Sequence, residues 1–276
     1  MIDLTNETAL VSLGEVLQQF QRVAGEVVDR TLVAGAMARD LILHYTQGLT
    51  IQRATVDLDL AVAVRSWSTF QQLEARLIDA GARRNPHASH QFFMADWRVD
   101  IIPFGDVEHD GMIVWPRTGF EMTVAGFDEA SEHALTVLLP GRVQAFVVSP
   151  PALLVLKLIA WKDRHVAEPH HDAVDIKSLI ASYAGRWNED RLYGEADDLL
   201  QRFGYDSERA AAALLGRDAG ALARPATLTR IRAILDAETT DEAWRLARDM
   251  DTRVEDNLAL LQALASGVQD AALSRR

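Results

Sequence analysis

The chain has 276 residues, 49% hydrophobic and 25% charged, the composition of a soluble globular protein with room for one large domain or two smaller ones. It has no cysteine, which excludes disulfides, thiolate zinc sites and cysteine nucleophiles. A formal net charge of −12 argues against a protein that coats duplex DNA, although it leaves room for a local basic cleft.

In chain order, Glu7 to Arg30 predicts an amphipathic helix, because Leu10, Leu13, Val16, Leu17, Phe20, Val23 and Val27 recur at three- and four-residue steps. Thr31 to Ala34 is a short apolar strand, Gly35 opens a turn, and Ala36 to Tyr45 returns to helical spacing. After a polar connection comes the apolar strand Thr55 to Val62, which carries Asp57 and Asp59. Trp67 to Ala80 predicts a second amphipathic helix closed by Gly81. Phe92–Asp96 and Arg98–Phe104 predict a hairpin through Asp96-Trp97. Further strands are expected at Met112–Trp115, Thr136–Leu139 and Val143–Val148, the last two joined by Pro140-Gly141.

The pattern changes at Ser149-Pro150-Pro151, a plausible cap followed by prolines at the first helical positions. Helical periodicity then covers about 150–165, 170–183, 187–203, 207–216, 225–237, 240–250 and 253–272. The expected fold class is α+β: a mixed-sheet domain over 1–149, then an α-helical domain over 150–276. No apolar run approaches the roughly 20 residues that span a bilayer. The first ten residues lack the basic-then-apolar pattern of a leader, so a cytoplasmic location is expected.

Three stretches carry chemistry. In a strand the side-chain period is two, so Asp57 and Asp59 project from one face. Two like charges side by side on a mostly buried strand are costly unless a cation lies between them, and oxygen donors favour Mg²⁺ or Mn²⁺. An edge strand with alternating acids is the plainer alternative. Arg98-Val99-Asp100 places a third carboxylate among apolar neighbours, either paired with Arg98 on its own face or completing a metal site. The Gly35 turn ahead of Asp57 needs no ligand to explain it, but its N–H groups could also cradle phosphates.

The third stretch lies in the helical half. The chain's lysines are Lys157, Lys162 and Lys177. Lys157 sits in an otherwise apolar helix and shares a face with Trp161 and Arg164. Burying it is costly unless it meets an anion; snorkelling to the surface is the alternative. Asp172 and Asp175 at i, i+3 could brace Lys157 or Arg164, or could be ordinary helix N-terminal acids. His87 and His90 read as loop residues, as does the His165–His171 stretch, whose spacing fits no common zinc pattern.

As an ordered set, Gly35-Ala36, Thr55-Val56-Asp57-Leu58-Asp59, Asp100, Lys157-Leu158-Ile159-Ala160 with Arg164, and Asp172-Ala173-Val174-Asp175-Ile176 resemble the DNA polymerase β superfamily of nucleotidyltransferases. The resemblance is more specifically to the AbiEii-type branch, the nucleotidyltransferase toxins of type IV toxin–antitoxin systems. Gly35 to Asp40 also resembles the tRNA CCA-adding enzymes. Ala36 departs from the family's second glycine or serine, and nothing beyond about residue 185 matches a known pattern.

The resemblance implies a polymerase-β-like N-terminal domain and transfer of a nucleoside monophosphate from a nucleoside triphosphate to an acceptor hydroxyl, the tRNA 3′ end included. It implies Mg²⁺ or Mn²⁺ on Asp57, Asp59 and Asp100, with these three and Lys157 catalytic. Nucleotide binding would fall to Gly35, Ala36, Arg39, Thr55, Lys157 and Arg164, and Asp172 and Asp175 would support Lys157 in the cleft. A cognate antitoxin is an implied partner. The alternatives are nucleotide transfer to a small molecule or protein, and a non-catalytic nucleotide-binding regulator.

Overall fold

The computed structural model describes residues 1–48, 57–164, 169–185, 188–240 and 244–274. The chain divides into two compact units, Met1–Ser149 and Pro150–Arg276. Thr55 lies outside the described residues.

In the first unit the strands are β1 (Ile2–Asp3), β2 (Arg30–Val33), β3 (Asp57–Val64), β4 (Arg83–Arg84), β5 (Gln91–Met94), β6 (Trp97–Gly105), β7 (Met112–Val114), β8 (Glu121–Thr123), β9 (Leu135–Leu139) and β10 (Val143–Val147). The helices are α1 (Val11–Ala24), α2 (Gly35–Gln47), α3 (Trp67–Asp79) and α4 (Phe127–Glu132). Among the described residues β7 and β8 form a separate hairpin, and the other eight strands form one mixed sheet in the order β1-β9-β10-β2-β3-β6-β5-β4.

The centre of this sheet matters most. Strand β3 runs antiparallel to β2 and parallel to β6, with Asp59 opposite Asp100 and Asp57 opposite Arg98. Leu58, Leu60 and Val62 are fully buried on one face of β3, and each such burial contributes roughly 1.5–3 kcal/mol. Asp57 and Asp59 project from the other face, half-exposed. Helices α1 and α3 pack on each other and on the sheet, and Leu13, Leu17 and Phe20 of one and Phe70, Leu73 and Leu77 of the other are buried. Ser66 caps α3 by accepting from the Thr69 N–H at 3.2 Å.

Several boundaries differ from the sequence-based expectation. Helix α1 stops at Ala24, because Gly25 leaves helical geometry with φ +52°, and does not run on to Arg30. The β5–β6 hairpin turns at Ala95-Asp96, with Met94 paired to Trp97, one residue earlier than expected. The short strands β1, β4 and β8 and the six-residue α4 carry too little periodicity to be read from sequence.

The second unit holds α5 (Pro150–Arg164), α6 (Pro169–Tyr183), α7 (Glu189–Tyr193), α8 (Asp197–Arg202), α9 (Ser207–Leu222), α10 (Pro225–Thr240), α11 (Arg245–Met250) and α12 (Val254–Leu273), with no strand among the described residues. The segment expected as one helix over 187–203 is two, broken at Gly194, Glu195 and Ala196. His170 and His171 begin α6 and are not in a loop. Helices α9 and α12 lie against each other over much of their length, and with α5 and α6 also packed on α9, Ala210 to Ala213 are fully buried. A Cβ at Gly216 would overlap the Leu264 carbonyl, and one at Gly267 would overlap that of Ala213, so small residues set this close approach. No helix among the described residues is long and apolar enough to cross a membrane.

Candidate active site

The half-exposed sheet face of the first unit gathers four charged residues by register alone. Directly opposed residues on neighbouring strands share a face, so Asp57, Asp59, Arg98 and Asp100 all lie on the side away from Leu58 and Val99. Each carboxylate has its own neighbour. Asp57 forms an ion pair with Arg98, both partly open to solvent. Arg98 is thus engaged across the strands by Asp57; Asp100, two residues along its own strand, is not its partner.

Asp59 lies against the start of α2. The Ala34 N–H donates to the Asp59 carbonyl at 2.9 Å, which brings the β2–α2 turn alongside the strand. Gly35 follows with φ +60°, and a Cβ there would overlap the Asp59 carboxylate. The glycine is explained by this close approach as well as by its backbone angle. Helix α2 has no side-chain N-cap, and a carboxylate beside its first turn suits the partial positive charge there. Ala36 is half-buried in that turn, and Arg39, one turn further on, pairs with Asp40 at 2.6 Å and is largely buried.

Asp100 is held from the β5 side. Gln91, its register partner, donates from Nε2 to Asp100 Oδ1 at 2.8 Å. The Oδ2 atom lies 3.9 Å from His90 Nε2. Gln91 and His90 had no signal in the sequence, because only the position of the hairpin turn decides which residue faces Asp100.

The three carboxylates are oxygen donors on one open face, chemistry that suits a hard divalent cation. As they stand, each turns to a different neighbour. Among the described residues no group of three or more His, Asp or Glu side chains is placed to hold a metal ion.

The second unit carries its own charge cluster. Lys157 on α5 is 9% exposed and pairs with Asp172 at 3.0 Å and Asp175 at 2.6 Å, both on α6. Arg164, on the Lys157 face of α5, donates to Asp172 from Nε at 2.7 Å and from Nη2 at 2.9 Å. Asp172 is fully buried and receives both cations. The structure therefore brings together all four residues that sequence spacing associated.

Burial by itself would lower the Lys157 ammonium, but Asp175 and Asp172 outweigh it and hold the group above its ordinary value of 10.5. Burial likewise pushes the Asp172 carboxyl up, and the Arg164 hydrogen bonds and the Lys157 charge outweigh it, holding it below 3.8. Lys157 is thus a fixed positive charge at neutral pH. It can counter developing negative charge but cannot serve as a base.

No family model matches the chain, and no curated protein matches it. Among solved structures the chain is similar to the antibiotic-resistance factor ANT(2'')-Ia. Its solution structure aligns with a TM-score of 0.40 at 12% identity, over 70% of this chain and 94% of that one. The crystal structure of ANT(2'')-Ia in complex with adenylyl-2''-tobramycin aligns with a TM-score of 0.36 at 13% identity, over 71% and 98%.

Proposed function

We propose that this chain is a divalent-cation-dependent nucleotidyltransferase of the polymerase β superfamily. It would move a nucleoside monophosphate from a nucleoside triphosphate to an acceptor hydroxyl. The observation that carries the reading is the register of β3 and β6, which sets Asp59 opposite Asp100 with Asp57 on the same open face. Support comes also from the ordered resemblance of Gly35-Ala36, the Asp57/Asp59 pair, Asp100 and the Lys157 helix to the AbiEii-type enzymes.

Asp57, Asp59 and Asp100 would hold Mg²⁺ or Mn²⁺, which when bound supplies positive charge to the transferring phosphoryl group. Asp100 would take the proton of the acceptor hydroxyl as its oxygen bonds the α-phosphorus and pyrophosphate departs. The N–H groups of the Gly35-Ala36 turn, at the start of α2, would bind the outer phosphates. Lys157, kept charged by Asp172 and Asp175, would counter charge on the leaving pyrophosphate. Arg39 and Arg164 would add positive charge for the nucleotide.

We infer an RNA hydroxyl, the tRNA 3′ end included, as the acceptor, and a toxin role restrained by a cognate antitoxin. The test is incubation with α-labelled nucleoside triphosphates, Mg²⁺ and total tRNA or cell extract. Label should enter RNA with the wild type and be lost in Asp57→Ala and Asp59→Ala. Label entering protein or a small molecule would replace the RNA acceptor. No transfer by the wild type, or full activity in both variants, would sink the reading.

A further inference from the structure

We propose that Gln91 is a positioning residue for Asp100, fixed in its working orientation by Asn85; the inference rests on the nucleotidyltransferase reading of the Asp57/Asp59/Asp100 face. Three hydrogen bonds in series carry it, and their direction is set at both ends. The His87 backbone N–H, which can only donate, donates to Asn85 Oδ1 at 2.9 Å. That places the oxygen of the Asn85 amide and so leaves its Nδ2 to donate to Gln91 Oε1 at 2.6 Å. Gln91 must then present Nε2 to Asp100, at 2.8 Å, where the ionised carboxylate can only accept. The Gln91 amide is thereby fixed in one of its two orientations.

Asn85 is itself anchored, since its backbone N–H donates to the Gln91 carbonyl at 2.9 Å at the β4–β5 edge. The hydrogen bond to Asp100 is charge-assisted and stronger than a neutral one. It ties Oδ1 to the sheet, whereas among the described residues Oδ2 has only His90, at 3.9 Å. Asp100 is thus held through one oxygen, with the other available for work on the face it shares with Asp59. Partners that orient a ligating carboxylate commonly change metal affinity or activity by about 10- to 100-fold when lost.

The experiment measures Mn²⁺ affinity by electron paramagnetic resonance and nucleotide transfer by labelled triphosphate, on wild type, Gln91→Leu, Gln91→Glu and Asn85→Ala. Gln91→Glu keeps the shape but sets an acceptor and a like charge against Asp100. The expected result is Mn²⁺ binding weakened by about 10- to 100-fold in Gln91→Leu, with transfer lowered in both Gln91 variants. The kcat should fall while KM for the triphosphate holds, and Asn85→Ala should give a smaller loss of the same kind. A merely structural role would lower the urea midpoint and leave Mn²⁺ affinity and the kcat-to-KM split alone. Wild-type affinity and kcat in both Gln91 variants would overturn the inference, as would a wild type that binds no Mn²⁺. A wild type that binds Mn²⁺ but transfers nothing, with binding weakened in Gln91→Leu, would remove the nucleotidyltransferase reading and leave Gln91 as the orienting partner of Asp100.

Discussion

The Asp59 carboxylate occupies the space that a side chain at Gly35 would need. Gly35 also holds φ +60°, a backbone angle that costs other residues about 1–3 kcal/mol. Gly35→Ala should therefore both destabilise the first unit and displace Asp59, lowering the urea midpoint and abolishing the proposed Mg²⁺-dependent transfer. Gly48, the cap of α2 at φ +74°, with no described residue near enough for its Cβ to meet, provides the control. Gly48→Ala should cost about 1 kcal/mol and leave transfer intact. Equal effects of the two substitutions would show that Asp59 is not what requires the glycine.

In the second unit, Asp172→Asn leaves Lys157 with one carboxylate and removes the bidentate partner of Arg164. Breaking a buried ion pair from one side costs about 3–5 kcal/mol. Arg164 is half-exposed, so solvent screening reduces its share and the Lys157 side dominates. Urea unfolding followed by circular dichroism at pH 7 measures the loss.

The same cluster fixes the sign of the pH dependence. The Asp172 carboxyl is held below 3.8 in the fold, so its stabilisation is present above 3.8 and is lost as pH falls through the folded value. Lys157 is held above 10.5, so its contribution is present below 10.5 and is lost as pH rises through the folded value. Stability from this cluster should form a plateau across neutral pH and fall at both extremes. Asp172→Asn should flatten the acid limb, and an unchanged acid limb in that variant would exclude Asp172 as its source.

Arg98 and Asp57 form a pair open enough to solvent that its loss should change stability by no more than about 1 kcal/mol. Its effect on the site should be larger. At the proposed metal site a guanidinium on Asp57 would compete with a divalent cation, so Arg98→Ala should tighten Mn²⁺ binding in the absence of nucleotide. Weakened binding in a titration of the variant would mean instead that Arg98 supports the site.

The α9–α12 contact offers a test independent of function. At Gly216 and Gly267 the obstructing atoms are backbone carbonyls, of Leu264 and Ala213, which cannot rotate away as a flexible side chain would. Gly216→Ala or Gly267→Ala should force the helices apart at a cost of about 1–3 kcal/mol or more, read as a lowered thermal midpoint. An alanine tolerated without loss at either position would contradict this packing.

By itself, the sequence determined the fold class, a mixed sheet followed by helices, because period-two and period-3.6 patterns are local and strong in β3, β6, α1, α3 and the long helices of the second unit. It also marked Asp57 and Asp59 as sharing a face, Lys157 and Arg164 as sharing one, and Asp172 and Asp175 as sharing another, since i, i+2, i, i+3 and i, i+7 spacings translate directly into geometry. The meeting of Lys157 and Arg164 with Asp172 and Asp175 was left to the packing of α5 on α6. Only the tertiary structure decided which strands are neighbours, and hence that Asp100 stands opposite Asp59 and that Arg98 turns to Asp57. A turn at Ala95-Asp96 rather than one residue later brings Gln91, and not Phe93, opposite Asp100. The length of a hairpin loop sets the register of every pair behind it. Periodicity within a strand is blind to that choice, which is why Asp57 and Asp59 could be named from the sequence and the residues that hold Asp100 could not.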